Sequence, residues 1–334
     1  MDASRESIAP EGGEVNFFVS FWNLENLFDV QGAKRPPWLQ ARLNNELLGW
    51  SKDILERKLT QLARIIVQLN EGRGPDALGV CEVENAHVLR LLLKKIRIKG
   101  RRYAFVHHDS NDHRGIDVAF IYDKKRLVAQ EQFSHVVLKR NATRDIFQVN
   151  FATKDEALPL VLIANHWPSR SGGAELSRPY RALAAETLSY WISRIPEYLG
   201  KDVPIVAMGD FNDEPFDVSI TQYLRADRDP EKVLRARKER LYNLGWQALG
   251  NGLGTHYYAG PRVLDQIIVN KSLLTGARGF RLTDASRQGM RIEQFSEMTR
   301  KRTGAPIRFG RPSAGRTGGF SDHFVVSAEI EFGG

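Results

Sequence analysis

The stretch Val206-Ala207-Met208-Gly209-Asp210-Phe211-Asn212-Asp213-Glu214-Pro215 constrains this chain more than any other. Three apolar residues and a glycine run directly into an acid, an aromatic ring and an amide. A buried strand that delivers polar groups at its end has this form. Asp210 and Asn212 then sit where a phosphate, a metal ion or an attacking water can be handled. A plainer explanation competes, because Asp and Asn favour turns by bonding nearby backbone. Taken alone, the turn explanation leads, and the rest of the chain has to decide.

The same form recurs. Val15–Trp22 is β-branched and aromatic, reads as a strand, and ends in Asn23-Leu24-Glu25-Asn26. Ala77–Val83 holds Glu82 inside an apolar run. An acid there is costly to bury unless it is paired or bound to a metal. Pro159–Asn165 is a continuous apolar strand ending in His166-Trp167-Pro168-Ser169-Arg170. Leu264–Val269 carries Asp265, and the last strand, Phe324–Phe332, follows Ser321-Asp322-His323. Further strands are expected at Tyr103–His107, Ile116–Tyr122, Val128–Leu138 and Asp145–Ala152. Apolar residues at helical spacing predict a helix over Lys52–Leu69 with Ser51 as its N-cap, and others over Ala86–Ile98 and Pro179–Ile195. The Pro-rich piece around Arg35-Pro36-Pro37-Trp38 reads as loop, with Trp38 and Trp50 as packing residues. Ala226–Arg240 reads as a charged, solvated helix or excursion and Arg287–Arg316 as a long basic loop.

So many strands exceed one small sheet. Two packed sheets flanked by helices, in the α/β class, are the expected arrangement. No Gly-Pro-Ser linker divides the chain. Residues 15–334 are therefore expected to form a single domain behind a flexible segment, 1–14. With 42% hydrophobic and 26% charged residues among 334, a large core can form. The formal charge of +8 favours polyanionic partners such as nucleic acid or anionic lipid. The single cysteine, Cys81, excludes an intrachain disulfide and a thiolate-rich zinc site. That fits the cytosol. The N-terminus is no signal peptide as it stands, and a removed secretion signal stays open. No apolar run approaches the ~18–20 residues that span a bilayer, so a soluble protein without stable membrane association is expected, and a monomer is expected besides.

Six segments thus carry a carboxylate, amide or imidazole at a strand edge. Each has a dull explanation by itself, but their shared placement is harder to dismiss. WNLENL, CEVEN, NHWPSR, MGDFNDEP, LDQIIV and SDHF, in this order, resemble the motif series of the endonuclease/exonuclease/phosphatase superfamily. That superfamily includes deoxyribonuclease I, exonuclease III-type repair enzymes, sphingomyelinases and inositol-polyphosphate 5-phosphatases. The likeness spans Asn23 to His323. GDFN and SDH at this separation are specific; WN or CE alone would be weak.

The resemblance implies a four-layer α/β sandwich, two packed mixed β-sheets flanked by helices. It implies hydrolysis of phosphodiester or phosphomonoester bonds with a divalent metal, usually Mg2+, with Mn2+ or Ca2+ as alternatives. Mg2+ prefers oxygen ligands. Carried over residue by residue, Glu82 would bind the metal directly, with Asn23 and Asp322 close by and Glu25 helping through water. Asp210 would bind or orient the attacking water. His323, oriented by Asp265, would act on the nucleophilic side. Asn212 and His166 would donate hydrogen bonds to phosphate oxygens. Whether Asp210 or the His323–Asp265 pair is the general base stays open, as does the number of metals. Arg114, Arg170 and Arg181 are candidate substrate contacts, against the alternative of surface arginines. Arg287–Arg316, with eight Lys or Arg against two Glu, could flank the site along a nucleic-acid backbone or be a solvated loop.

Departures from the family's branches bear on the substrate. Exonuclease III-type enzymes usually carry Asn-Gly in the first motif, where this chain has Asn-Leu-Glu-Asn. His166 is similar to the deoxyribonuclease I and phosphatase branches. The inositol-phosphatase signature and the sphingomyelinase-type aromatic hairpin are not evident. The expected activity is that of a metal-dependent phosphodiesterase, an endonuclease of low sequence preference acting on DNA, with RNA open. The alternatives are a lipid or small-molecule phosphatase or phosphodiesterase, and a catalytically silent nucleic-acid-binding module.

Overall fold

The apolar runs pair as strands whose two faces are both covered. The computed structural model describes residues 15–333 apart from 141 and 316, so the segment 1–14 lies outside the described residues. In chain order the strands are β1 (Val15–Leu27), β2 (Ala77–Val83), β3 (Tyr103–His107), β4 (Asp117–Asp123), β5 (Leu127–His135), β6 (Ile146–Thr153), β7 (Pro159–His166) and β8 (Ile205–Asp210). They continue with β9 (Ala226–Asp227), β10 (Leu241–Asn243), β11 (His256–Tyr257), β12 (Pro261–Arg262), β13 (Asp265–Val269), β14 (Phe280–Leu282), β15 (Arg291–Glu293) and β16 (Val325–Phe332). One seven-stranded sheet has the order β14-β16-β1-β2-β4-β3, with β15 also on β16. The other runs β5-β6-β7-β8-β13-β10-β9, and β11 and β12 form a separate hairpin. Both sheets are mixed. β1 and β2 are parallel, as are β7 and β8, whereas β2–β4 and β8–β13 are antiparallel.

Alternation along each strand builds the layers. Phe17, Val19 and Phe21 of β1 meet Phe147, Phe151, Leu162 and Met208 of the other sheet in one inter-sheet core. Each large side chain buried this way contributes ~1.5–3 kcal/mol. Phe18 and Trp22 face the opposite way, under α2 (Lys52–Ile66) and α3 (Ala86–Lys95), which follow a shorter helix α1 (Pro37–Leu43). Val161, Ile163 and Ala207 face outward from the second sheet, under α4 (Ala174–Leu199). The result is the expected four-layer sandwich. Ser51 caps α2, its hydroxyl accepting from Ile54 N at 3.3 Å. Asn85 caps α3 through His87 N and Val88 N. Among the described residues, no helix is long and apolar enough to cross a membrane.

Three expectations change. The Pro-rich piece is not all loop, because Pro37 opens α1, where a missing N–H costs nothing. Trp50 does pack, against Phe28 and Phe309, but Trp38 is 55% exposed. The basic stretch 287–316 is not a free loop either. It contributes β15 to the first sheet and buries Met298 and Phe309.

Candidate active site

Strand register assembles the first half of the site. The β7–β8 pairing sets His166 opposite Asp210, and the β8–β13 pairing sets Asp265 opposite Asp210. Three polar side chains thus stand in a row across neighbouring strand ends. Gly209 is required for this, since a Cβ there would run into the backbone carbonyl oxygen of Asn165. His323 joins from the segment before β16, with its Nδ1 hydrogen-bonded to Asp265 Oδ2 at 2.6 Å. That segment is tied to β1: Trp22 Nε1 donates to His323 O, and Ser321 Oγ donates to Asn23 O.

The first sheet supplies the other half. Asn23 Nδ2 donates to Asp210 Oδ2 at 3.1 Å and to Glu82 Oε1 at 3.4 Å. Glu82 sits at φ 60, at a register shift in β2, and its Oε2 accepts from Asn26 N at 2.8 Å. A left-handed non-glycine residue costs of order 1–3 kcal/mol and persists only where its surroundings enforce it. Asn212 has the same kind of backbone, at φ 51. Together these residues open a cleft of ≈ 780 Å³, to which Asn23, Glu82, His166, Asp210, Asp322 and His323 all contribute.

The cleft is electrostatically uneven. Burial, helped by the nearby Asp265 and Glu82, pushes the Asp210 carboxyl up to about 7, against the opposing pull of His323 and Asn212 N–H. For His323, burial works against the charged form, yet Asp265, Asp210 and Asp322 outweigh it and hold the imidazolium well above its usual range. His166 is the opposite case. Burial, then Arg144 and Arg114, keep it neutral far below 6.5. His166 Nδ1 and Asp265 Oδ1 are buried without a hydrogen-bond partner among the described residues.

This donor set fits a divalent cation. Glu82, Asp210 and Asp322 offer hard carboxylate oxygens on one cleft, with negative charge left over, while Asn23 turns its amide nitrogen to Glu82 and Asp210 and its oxygen to Glu25 N. Asp210, Asp265 and His323 also present ligand atoms within 4.8 Å of one another. In that second group His323 Nδ1 and Asp265 Oδ2 are already bonded to each other at 2.6 Å.

Not every expected residue reaches the cleft. Glu25 does not line it. Its Oε1 accepts from Arg308 Nε at 2.8 Å and Gly310 N at 3.2 Å, and its Oε2 accepts from Phe309 N at 2.6 Å. Both oxygens are therefore spent on anchoring a loop. Arg181 is 1% exposed and lies on α4 beneath the surface, with Nε 2.6 Å from Asp213 Oδ1 and Nη1 donating to Ser177 Oγ. It braces the structure and cannot reach a substrate. Arg170 lines the cleft but is bonded to Asp213, Asp217 and Asn212 O. Arg114 lines it too, with Nη2 donating to Asn26 Oδ1 at 3.0 Å. Asn212 gives one amide hydrogen to Trp167 O at 3.0 Å.

The structure adds His256 and Arg262 to the lining. The His256 ring lies 4.7 Å from that of His323. Burial, then His323, lower its pKa to about 4. Arg262 pairs with Glu214 at 2.8 Å. Nothing in Thr255-His256-Tyr257 signals this, because the bridge between His256 and His323 joins distant parts of the chain.

A four-layer sandwich whose strand ends gather carboxylates and imidazoles around one open cleft is the architecture of a phosphoryl hydrolase. The sequence profile of the Endonuclease/Exonuclease/phosphatase family matches residues 18–331, and the chain belongs to that family. Similar solved structures include truncated TDP2 of Caenorhabditis elegans, at 15% identity over 95% of this chain and 98% of that one, with a TM-score of 0.57. An endonuclease/exonuclease/phosphatase family protein of Bacteroides thetaiotaomicron is 16% identical over 96% of both chains, TM-score 0.56. The mannosyl-6-phosphatase of Bacteroides thetaiotaomicron VPI-5482 is 16% identical over 94% of this chain and 99% of that one, TM-score 0.55. No curated protein matches the chain by sequence.

Proposed function

We propose that the protein is a divalent-metal-dependent phosphodiesterase that cleaves nucleic acid internally, DNA first, with low sequence preference. The observation that carries this reading is the convergence of Asn23, Glu82, His166, Asp210, Asp265 and His323 through the register of both sheets. Mg2+ held by Glu82, with Asn23 and Asp322 close, would polarise a phosphoryl oxygen and offset charge on the leaving oxygen. Asp210, pushed up to about 7, exchanges a proton near neutral pH and so suits the orienting and deprotonation of water. Asp265 fixes the His323 ring through Nδ1, leaving Nε2 on the Asp210 side, 4.0 Å from Oδ2. Neutral His166 and the second amide hydrogen of Asn212 donate to phosphate oxygens as charge redistributes. The net charge of +8 and the arginines at the rim, Arg114, Arg170 and Arg262, favour a polyanion.

A second reading is a phosphatase acting on a small phosphate ester. The likeness to a mannosyl-6-phosphatase supports it. One assay separates the two: supercoiled plasmid and a panel of small phosphomonoesters, each with Mg2+ and with EDTA. Plasmid nicking that EDTA abolishes supports the nuclease. Phosphate release from monoesters without nicking at any salt or metal concentration overturns it.

A further inference from the structure

The basic stretch after β15 builds a second cavity beside the cleft. Arg300, Arg308 and Arg311 line a space of ≈ 510 Å³, and among the described residues no acidic side chain lines it. Arg308 is the wall between the two spaces: its Nη2 lies 3.3 Å from Asp322 Oδ2, and Asp322 lines the catalytic cleft. Two of the three cations have acidic partners from outside the cavity. Arg308 is held by Glu25 and Asp322, and Arg311 lies 2.9 Å from Glu46. Arg300 has no side-chain partner among the described residues.

The wall is built, not loose. The buried Glu25 carboxylate accepts from Arg308 Nε, Phe309 N and Gly310 N. Lys58 Nζ stands 4.6 Å over the Phe309 ring and donates to Phe320 O at 3.0 Å. A Cβ on Gly319 would collide with Arg308 O, so the two sides of this loop are in close contact. A buried acid, a buried lysine and a glycine contact together hold Arg308 at one spot next to the catalytic acids. A solvated loop needs none of these.

We propose that this cavity is a second phosphate subsite. It receives the neighbouring phosphate of a nucleic-acid strand whose scissile diester lies in the cleft. The inference rests on the nucleic-acid reading above. Guanidinium forks match phosphate oxygens in geometry and charge. The carboxylates Glu25, Asp322 and Glu46 position two of the forks and leave Arg300 available. A small molecule carrying two phosphates presents the same chemistry, so the test includes one.

The test uses the full chain with Arg300→Glu, and with Arg300→Ala as a milder variant; Arg300 is exposed, so folding is not at stake. Binding of a fluorescent single-stranded oligothymidylate is followed by anisotropy across a salt series. Arg300→Glu should weaken binding by about tenfold. The slope of log K against log salt should become shallower by ~0.7, the share of one neutralised phosphate on a single strand. In hydrolysis, KM for the oligonucleotide should rise far more than KM for bis(p-nitrophenyl) phosphate, which carries one phosphate. Unchanged oligonucleotide affinity and slope, or equal KM shifts for both substrates, would overturn the subsite. Loss of inhibition by an alkyl bisphosphate with unchanged oligonucleotide binding would also overturn it as a nucleic-acid subsite. If neither substrate is hydrolysed at all, the nuclease reading fails, while the binding experiment still decides the subsite.

Discussion

Asp210 ends β8 and Asp213 follows it by three residues, each is 2% exposed, and their surroundings are opposite. Asp213 is saturated. Its Oδ1 meets Arg170 Nη2 and Arg181 Nε, both at 2.6 Å, and its Oδ2 accepts from Ser219 Oγ at 2.6 Å. Its backbone carbonyl accepts from Gln266 Nε2 at 2.7 Å. Among the described residues, the Asp210 carboxylate has only Asn212 N at 2.9 Å and Asn23 Nδ2 at 3.1 Å within hydrogen-bond reach. The imidazoles of His166 and His323 stand off at 3.8 and 4.0 Å. Burial of an acid is therefore not the signal of a site. Burial with too few partners is, because the protein gives up stability there to keep a reactive charge. The two aspartates should respond in opposite ways to substitution.

The largest effect is expected on the under-paired side. His323→Ala should lower kcat/KM by about 10²–10⁴-fold, the range for a lost acid–base group, and should also cost stability, because it leaves the Asp265 carboxylate buried without its partner. Initial rates on plasmid or bis(p-nitrophenyl) phosphate, beside a melting curve, would check this. Activity within a few-fold of wild type would remove His323 from the chemistry.

On the saturated side, Asp213→Ala should destabilise by ~3–5 kcal/mol, since it leaves Arg181 buried without its partner. Denaturant unfolding reads this directly. Adding Arg181→Met to that variant should restore part of the loss. A double variant no more stable than Asp213→Ala would break the claim that the pair acts as a unit.

A third contrast is electrostatic. In metal-free protein His323 should titrate well above 6.5, followed by NMR of its ring carbon protons. Burial favours the neutral ring, and Asp265 is the leading force against it. In Asp265→Asn the titration should therefore fall. An unmoved titration would mean that Asp265 does not hold the imidazolium.

The smallest effect concerns a buried histidine remote from these acids. His135 bonds Gln148 at 2.9 Å, and burial lowers its pKa. A depressed imidazole pKa means that the folded state resists protonation. Its contribution is present above the unfolded value of ~6.5 and is lost as pH falls from there through the lower folded value. His135→Gln should flatten the acid limb of the stability curve there. An equally steep limb would assign the acid loss to other groups.

Much of this is legible in the sequence, and the failures have physical reasons. Strands such as Pro159–His166 announce themselves because both faces are covered, so the run is continuously apolar. The cleft acids are readable as polar groups that end such runs. What the sequence does not say is which arginine an acid captures. Arg181 reads as a substrate contact until the fold hands it to Asp213, and Glu25 reads as a metal neighbour until the 308–310 loop takes both of its oxygens. His256 is invisible for the same reason, since its proximity to His323 is set by a long-range bridge. The left-handed backbone of Glu82 gives no compositional sign either. The sequence carries the pattern of burial, and pairing between distant charges emerges only with the fold.

The most direct test of the account is Asp210→Asn, measured for unfolding and for Mg2+-dependent phosphodiester hydrolysis in the same preparation. The amide keeps the shape and removes a charge whose carboxyl is pushed up to about 7 by burial. Ionised Asp210 therefore costs stability at neutral pH. The account predicts a variant at least as stable as wild type, with activity reduced by about 10²–10⁴-fold. A variant as destabilised as Asp213→Ala, or one that retains wild-type hydrolysis, would contradict it.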